Sequence, residues 1–185
     1  MTLELLINSC RILDRPAQNL FFEQFKGYVM TVCRQYTSSD EEAKDLFQET
    51  FVKVFANLDT LKNPSSVKSW MRAIAVRLCL NYYKKNRKFE FAVDLEETND
   101  KVSEDSADAI IGEMSAEEIL EMIRLLPKSH QLVFNLFVIE GYSHKEIADK
   151  LDIAPSSSRV FLNAAKNKLK ELLNNNHLGY SSKYS

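Results

Sequence analysis

Two stretches of this chain carry apolar residues at the same eight offsets. In the first, Ala43, Leu46, Phe47, Thr50, Phe51, Val54, Phe55 and Leu58 fall at offsets 0, 3, 4, 7, 8, 11, 12 and 15. In the second, Val67, Trp70, Met71, Ile74, Ala75, Leu78, Cys79 and Tyr82 repeat them. That spacing gathers all eight side chains on one stripe of an α-helix, whereas a strand would scatter them over both faces. Ser39-Asp40 makes a good cap for the first helix, with Glu41 and Glu42 near the positive end of its dipole. The second starts after Asn63-Pro64-Ser65-Ser66. Another amphipathic stretch, from Leu20 to Tyr36, precedes both, and Thr2–Leu13 reads as a short helix before it.

The C-terminal part has its own helical signals. Ser115 and Glu118 form a capping box before Ile119, Leu120, Ile123 and Leu126. Pro127 breaks that helix, and a further one is predicted from about Lys128 to Ile139, stopped by Gly141. Ser143 and Glu146 form a second capping box, followed by Ile147, Ala148 and Leu151. Asp152 to Pro155 interrupts the pattern, and the next helix begins at Pro155 or just after it. Val160, Leu162, Ala165, Leu169 and Leu172 are its expected buried side. Two short helices joined by a tight turn are the pattern of a helix-turn-helix, whose second helix can lie in a DNA major groove.

The net charge of −2 conceals segregation. Residues 1–89 carry 14 Lys+Arg and 9 Asp+Glu, residues 90–121 carry 1 and 12, and residues 122–185 carry 9 and 5. Two basic blocks therefore flank an acidic one, and the global balance does not argue against a polyanionic ligand. Residues 90–114 lack sustained apolar periodicity and are expected to form a flexible linker. The expected fold is all-α: two small helical domains, 1–89 and 115–175, joined by the acidic linker 90–114 and followed by a polar tail, 176–185. Four Gly and four Pro suit helices better than a turn-rich β fold.

Several classes of function find no support. Cys10, Cys33 and Cys79 are far apart, without a C-x-x-C, and read as buried thiols in a reducing compartment. His130, His144 and His177 make no metal-ligand spacing, and His144 reads as exposed. No metal, no cofactor and no catalytic site is expected. No leader or membrane-spanning run is visible, so a cytoplasmic protein without membrane insertion is expected.

Other residues point to nucleic acid. From Lys68 to Lys88 there are seven cations (Lys68, Arg72, Arg77, Lys84, Lys85, Arg87, Lys88) and no acid. Trp70, Tyr82 and Tyr83 are interleaved with them, and cations with aromatics can hold a single strand and stack unpaired bases. Trp70 also lies on the apolar stripe and Lys84–Lys88 suits a helix C-terminus, so structural roles stand beside the functional one. The helix before it turns Asp45, Gln48, Glu49 and Lys53 outward on one side, which residue chemistry alone explains as solubility. In the helix-turn-helix, Ser157, Ser158, Arg159, Phe161, Asn163 and Lys166 are candidate contacts to bases or phosphates. An exposed Phe161 can touch a thymine methyl; packing inside the protein is the equal alternative.

Together these residues resemble the sigma factors of bacterial RNA polymerase. Asp40-Glu-Glu-Ala-Lys-Asp-Leu-Phe-Gln-Glu-Thr-Phe-Val-Lys-Val-Phe is similar to the family's D-x-x-A-E-D-L-x-Q-E-x-F-x-K-x-F segment. Trp70-Met-Arg-Ala-Ile-Ala and Asn81-Tyr-Tyr-Lys-Lys look like the segment after it. Leu126-Pro, Phe134-x-Leu and Glu140-Gly-Tyr-Ser-His-Lys-Glu-Ile-Ala look like the fourth region. The resemblance spans roughly residues 18–90 and 114–173. The chain lacks room for the other sigma regions, which points to the extracytoplasmic-function class, and the wording around Gly141 is similar to versions from the Bacteroidetes.

The resemblance implies a transcription initiation factor with no enzymatic activity. Asp45, Gln48, Glu49 and Lys53 would dock on the β′ clamp helices of core RNA polymerase, with the β flap as a further contact. Lys62, Asn63, Lys68, Trp70, Arg72, Arg77, Asn81, Lys84, Lys85, Arg87 and Lys88 would melt and read the −10 element of promoter DNA by capturing a flipped base. Ser156, Ser157, Ser158, Arg159, Phe161, Asn163 and Lys166 would read the −35 element. The linker would thread toward the RNA exit path, and an anti-sigma factor would be the inhibitory partner. Ala73 stands where many members have Arg, and Arg77 where many have Asn. Ser156-Ser157 replaces a common Gly-Thr, and Ala164 a common Arg. The rival readings are a stand-alone helix-turn-helix regulator and a protein-interaction module such as an anti-sigma decoy.

Overall fold

The computed structural model describes residues 1–86 and 116–181. Arg87, Lys88, the acidic segment 90–114, the Ser115 cap and residues 182–185 lie outside them. The regular elements among the described residues are helical: α1 (Leu3–Arg11), α2 (Arg15–Tyr36), α3 (Asp40–Ala56), α4 (Val67–Lys85), α5 (Ala116–Arg124), α6 (Lys128–Phe134), α7 (His144–Leu151) and α8 (Pro155–Ser181). Short 3₁₀ turns at Leu58–Thr60 and Pro64–Ser66 join α3 to α4, and a π turn at Asn135–Ile139 follows α6. The chain divides into two compact units, one of Met1–Asn86 and one beginning at Arg87.

In the first unit α2, α3 and α4 pack against one another in all three pairings, and α1 lies on α2. The expected cap of α3 forms, the Ser39 hydroxyl accepting the Glu42 N–H, while α4 follows Ser66 without a side-chain capping bond. The α2–α3 seam is aromatic. Phe22 meets Phe51 at 4.7 Å and Phe47 at 5.8 Å between ring centroids, and Phe21 meets Phe25 at 4.7 Å and Phe55 at 5.8 Å. Tilted and edge-on rings at such distances add to the area they bury. The stripe on α4 is wider than its periodicity suggests, because Val76 and Leu80 are buried beside Met71, Ile74, Ala75 and Cys79. All three cysteines are buried, and none is in a disulfide. Burial and the nearby Asp14 carboxylate push the Cys10 thiol up to about 11.

In the second unit α8 packs against α5, α6 and α7. The helix expected over Lys128–Ile139 is divided, with α-geometry giving way to the π turn at Asn135. Gly141 ends it at φ +74°, and the Tyr142 N–H closes the end by donating to the Leu136 carbonyl at 2.9 Å. Both halves of the second capping box are made: Glu146 N–H to the Ser143 hydroxyl at 3.3 Å, and Ser143 N–H to the Glu146 carboxylate at 2.8 Å. Asp152 adopts the left-handed conformation (φ 57°, ψ 54°), and α8 starts on Pro155. The helix continues to Ser181, into the expected polar tail.

Phe51 is 5% exposed at the centre of the aromatic seam, and its neighbour Val52 is 66% exposed. Phe51→Ala is expected to lower unfolding stability by about 3–5 kcal/mol in urea titration, through lost burial and the cavity left behind. Val52→Ala should change it by less than about 0.5 kcal/mol.

Candidate nucleic-acid interface

With the phenylalanines turned inward, α3 presents Asp45, Gln48, Glu49 and Lys53 to solvent. Val52 lies among them at the same helical spacing. Residue chemistry had not singled it out, because a lone valine on a polar face carries no motif.

The cationic series on α4 separates into two faces. Arg77, Asn81, Lys84 and Lys85 are exposed, in line with exposed Ser69 and Ala73. Arg72 instead faces α2, half-buried, with its guanidinium donating to the Gln35 side chain at 2.9 Å. Lys68 is exposed but also leans toward α2, its ammonium 5.7 Å from the Tyr28 ring centre, while the Tyr28 hydroxyl donates to the Lys68 carbonyl. Tyr82 and Tyr83 are tied to α3: both phenols donate to the Glu42 carboxylate, at 3.4 and 3.1 Å. Burial first, then Glu42, raises the Tyr83 phenol well above its usual value. Arg87 and Lys88 lie outside the described residues.

Beside the exposed α4 face is an open cleft of about 290 Å³, lined by Asn57, Thr60, Trp70, Ala73, Ile74 and Arg77. Trp70 is half-buried on its wall, and its indole N–H donates to the Thr60 hydroxyl at 3.3 Å. Thr60 in turn donates to the Asn57 carbonyl at 2.8 Å. These bonds hold the wall in place and leave the Arg77 guanidinium, exposed at the rim, as the cleft's cationic donor. The loop behind the cleft is anchored from α1. Arg11 donates to the Leu58 carbonyl at 3.3 Å and the Leu61 carbonyl at 2.6 Å, and lies 3.8 Å from Asp59. Lys62 and Asn63 are exposed on the following turn, where the Asn63 side-chain oxygen accepts from the Ser65 N–H and hydroxyl. Neither Asn57 nor Thr60 was visible as a site residue in the sequence, since only the folded loop brings them against α4.

α8 starts on Pro155 as expected, but the side it buries is not the expected one. Ser156, Arg159, Val160, Asn163 and Lys166 are exposed, and Ser157 is half-buried. Two candidate contacts are withdrawn inside. Phe161 is 7% exposed and packs on His130, with ring centres 5.5 Å apart. Ser158 is fully buried, and its hydroxyl lies 2.9 Å from His144 Nδ1. His144 is therefore half-buried rather than exposed. Val160, expected inside, is 50% exposed and takes the apolar place on the outer face that Phe161 had been given.

Residues 21–89 match the family description Sigma-70 region 2, and residues 116–169 match Sigma-70, region 4. The chain belongs to the sigma-70 family. It is 26% identical over 152 residues to the RNA polymerase sigma factor YlaC of Bacillus subtilis, covering 81% of this chain and 88% of that one. It is 24% identical over 186 residues to the ECF RNA polymerase sigma-E factor of Escherichia coli, covering 94% and 97%. A solved structure of CnrH in complex with the cytosolic domain of CnrY aligns over 92% of this chain and 96% of that chain, at 18% identity and a TM-score of 0.47.

Within region 2, Ala73 and Arg77 line the same cleft one helical turn apart. In region 4, Ser156 and Ser157 stand at the start of α8 and Ala164 is half-buried. Among the described residues no group of His, Cys, Asp and Glu is arranged to hold a metal ion, and no helix is long and apolar enough to cross a membrane.

Arg11→Met is expected to cost about 1.5–3 kcal/mol, because it removes charge-assisted hydrogen bonds to two loop carbonyls. It should also change the Trp70 fluorescence of the folded protein, since Trp70 leans on that loop. Unchanged emission would show that α1 does not support the cleft wall.

Proposed function

We propose that this protein is an extracytoplasmic-function sigma factor, of the kind found in the Bacteroidetes, acting in the cytoplasm. It is a non-enzymatic transcription initiation factor that binds core RNA polymerase and directs it to promoters. The observation that carries this reading is the pairing of two unlike surfaces in one chain. One is a base-sized cleft with an indole wall and a cationic rim. The other is a helix-turn-helix with a polar, cationic outer face.

Each surface has a role in this reading. The α3 face of Asp45, Gln48, Glu49 and Lys53, with Val52 among them, docks on the β′ clamp helices, where an apolar residue amid charges suits an interface better than bare solubility. The cleft receives a base flipped from the non-template strand of the −10 element, and Arg77, Asn81, Lys84 and Lys85 hold the strand beside it. The Arg77 fork favours a base edge with two adjacent acceptors. The outer face of α8 reads the −35 element as duplex, while the second unit also meets the β flap. Residues 1–89 and 115–175 serve as the two reading domains, and the acidic segment 90–114 as the linker between them, running toward the RNA exit path. An anti-sigma factor is the inhibitory partner.

The polymerase contact is tested by substitution on α3. Asp45→Lys with Gln48→Ala should abolish capture by core polymerase and leave the urea midpoint nearly unchanged; undiminished capture would place the docking surface elsewhere. On α8, Arg159→Ala is expected to weaken discrimination at the −35 element by about 1–3 kcal/mol if the guanidinium binds a base edge. An equal loss on all sequences would reduce Arg159 to a phosphate contact.

A further inference from the structure

The helix-turn-helix is held together mainly by apolar contacts. Ile147, Ala148 and Leu151 of α7 are buried, as are Phe161, Leu162 and Ala165 of α8. Such contacts are non-directional and tolerate small rotations of one helix on the other. With only eight residues, α7 offers little surface to oppose them. A polar link interrupts this apolar interface. Ser158 is fully buried on α8, and its hydroxyl lies 2.9 Å from Nδ1 of His144, the first residue of α7. The His144 ring is in turn stacked on Phe137 of the π turn, with centroids 4.6 Å apart and planes 23° from parallel. One hydrogen bond and one ring stack thus join three elements at a single point.

The chemistry fixes the direction of the bond. Burial disfavours the imidazolium, and the charges of Arg159 and Lys166 on α8 oppose it further, so the ring is held neutral. A neutral ring has one N–H. The structure shows no other hydrogen bond from the Ser158 hydroxyl, and a buried O–H without an acceptor is costly. The consistent assignment has the Ser158 O–H donating to Nδ1, with the ring hydrogen on Nε2. Rotating α8 about its axis breaks this bond and leaves the hydroxyl buried without its acceptor. The next residue along α8 is Arg159, exposed on the outer face. Holding Ser158 inward therefore also aims Arg159 outward.

We infer that His144 and Ser158 are positioning residues for duplex reading, whose hydrogen bond sets the rotation of α8 and hence the register at which Ser156, Arg159, Val160 and Asn163 meet base edges. This rests on the proposed reading of α8 as the −35 helix. Neither residue touches DNA in this account; both act through Arg159 and its neighbours.

The test uses the full chain in complex with core polymerase. The quantity read is the ratio of affinities for a promoter with its −35 element intact and the same promoter with that element scrambled. Ser158→Ala removes the donor. His144→Phe keeps a ring to stack on Phe137 but removes the acceptor. His144→Asn removes the ring and restores an acceptor oxygen near the place of Nδ1. Ser158→Ala and His144→Phe are expected to lower the ratio by about three- to tenfold, the worth of one hydrogen bond, with affinity for the scrambled promoter unchanged. His144→Asn should stay within about twofold of wild type.

The inference is overturned if Ser158→Ala and His144→Phe keep the wild-type ratio, if they weaken both promoters equally, or if His144→Asn does no better than His144→Phe. Nitrogen NMR of the wild-type imidazole gives a check that needs no variant: the hydrogen belongs on Nε2, and finding it on Nδ1 contradicts the assignment. A wild-type ratio of one would instead sink the reading of α8 as the −35 helix.

Discussion

The aromatic seam between α2 and α3 is the constraint on which the first unit depends. Phe21 and Phe22 on one helix meet Phe47, Phe51 and Phe55 on the other, and rings this large permit few alternative packings. Once these faces are engaged, the rotation of α3 about its axis is settled. Asp45, Gln48, Glu49, Val52 and Lys53 must then face outward. The loop leaving α3 must also return toward α4 where Thr60 can reach Trp70. The exposed polar face of α3 and the cleft beside α4 are thus two outcomes of one packing event. The Arg11 contacts to Leu58 and Leu61 hold the loop that this packing has placed.

In the second unit the corresponding constraint is the phase at which α8 begins. Pro155 has no N–H to donate and a fixed φ, so it is suited to the first position of a helix. Starting there, the helix brings Ser158, Phe161, Leu162 and Ala165 inside and turns Arg159, Val160 and Asn163 outward. The capping box at Ser143 and the left-handed Asp152 bring α7 to the correct place to receive them.

Much of this was legible in the residues. The all-helical fold, the starts of α3, α4, α7 and α8, the Gly141 stop and the outward face of α3 follow from periodicity and caps, which act locally. The resemblance to sigma factors joined the two halves into one function. What periodicity missed was tertiary. It placed Val160 inside and left Phe161 open between the DNA and the interior, because apolar character alone cannot distinguish a buried valine from an exposed one when both phases supply enough apolar residues. It read Arg72, Tyr82 and Tyr83 as part of a nucleic-acid surface, because their partners Gln35 and Glu42 are about 40 positions away in sequence. The π turn at Asn135–Ile139 was also unseen, since no local residue type marks one extra residue in a helical turn. Asn57 and Thr60 became site residues only when the loop folded back on α4.

The two reading surfaces make the most sense together. In the proposed function a cleft for one flipped base would carry little sequence information alone, and a single helix-turn-helix would have only one half-site to read. In the proposed function, polymerase would hold both surfaces on one promoter and supply a melted strand. The most direct measurement is run-off transcription with the purified protein, active core polymerase and genomic fragments, in the absence of any inhibitor. The account predicts discrete start sites that appear only when both the protein and the core enzyme are present. No polymerase-dependent start site on any fragment would contradict it.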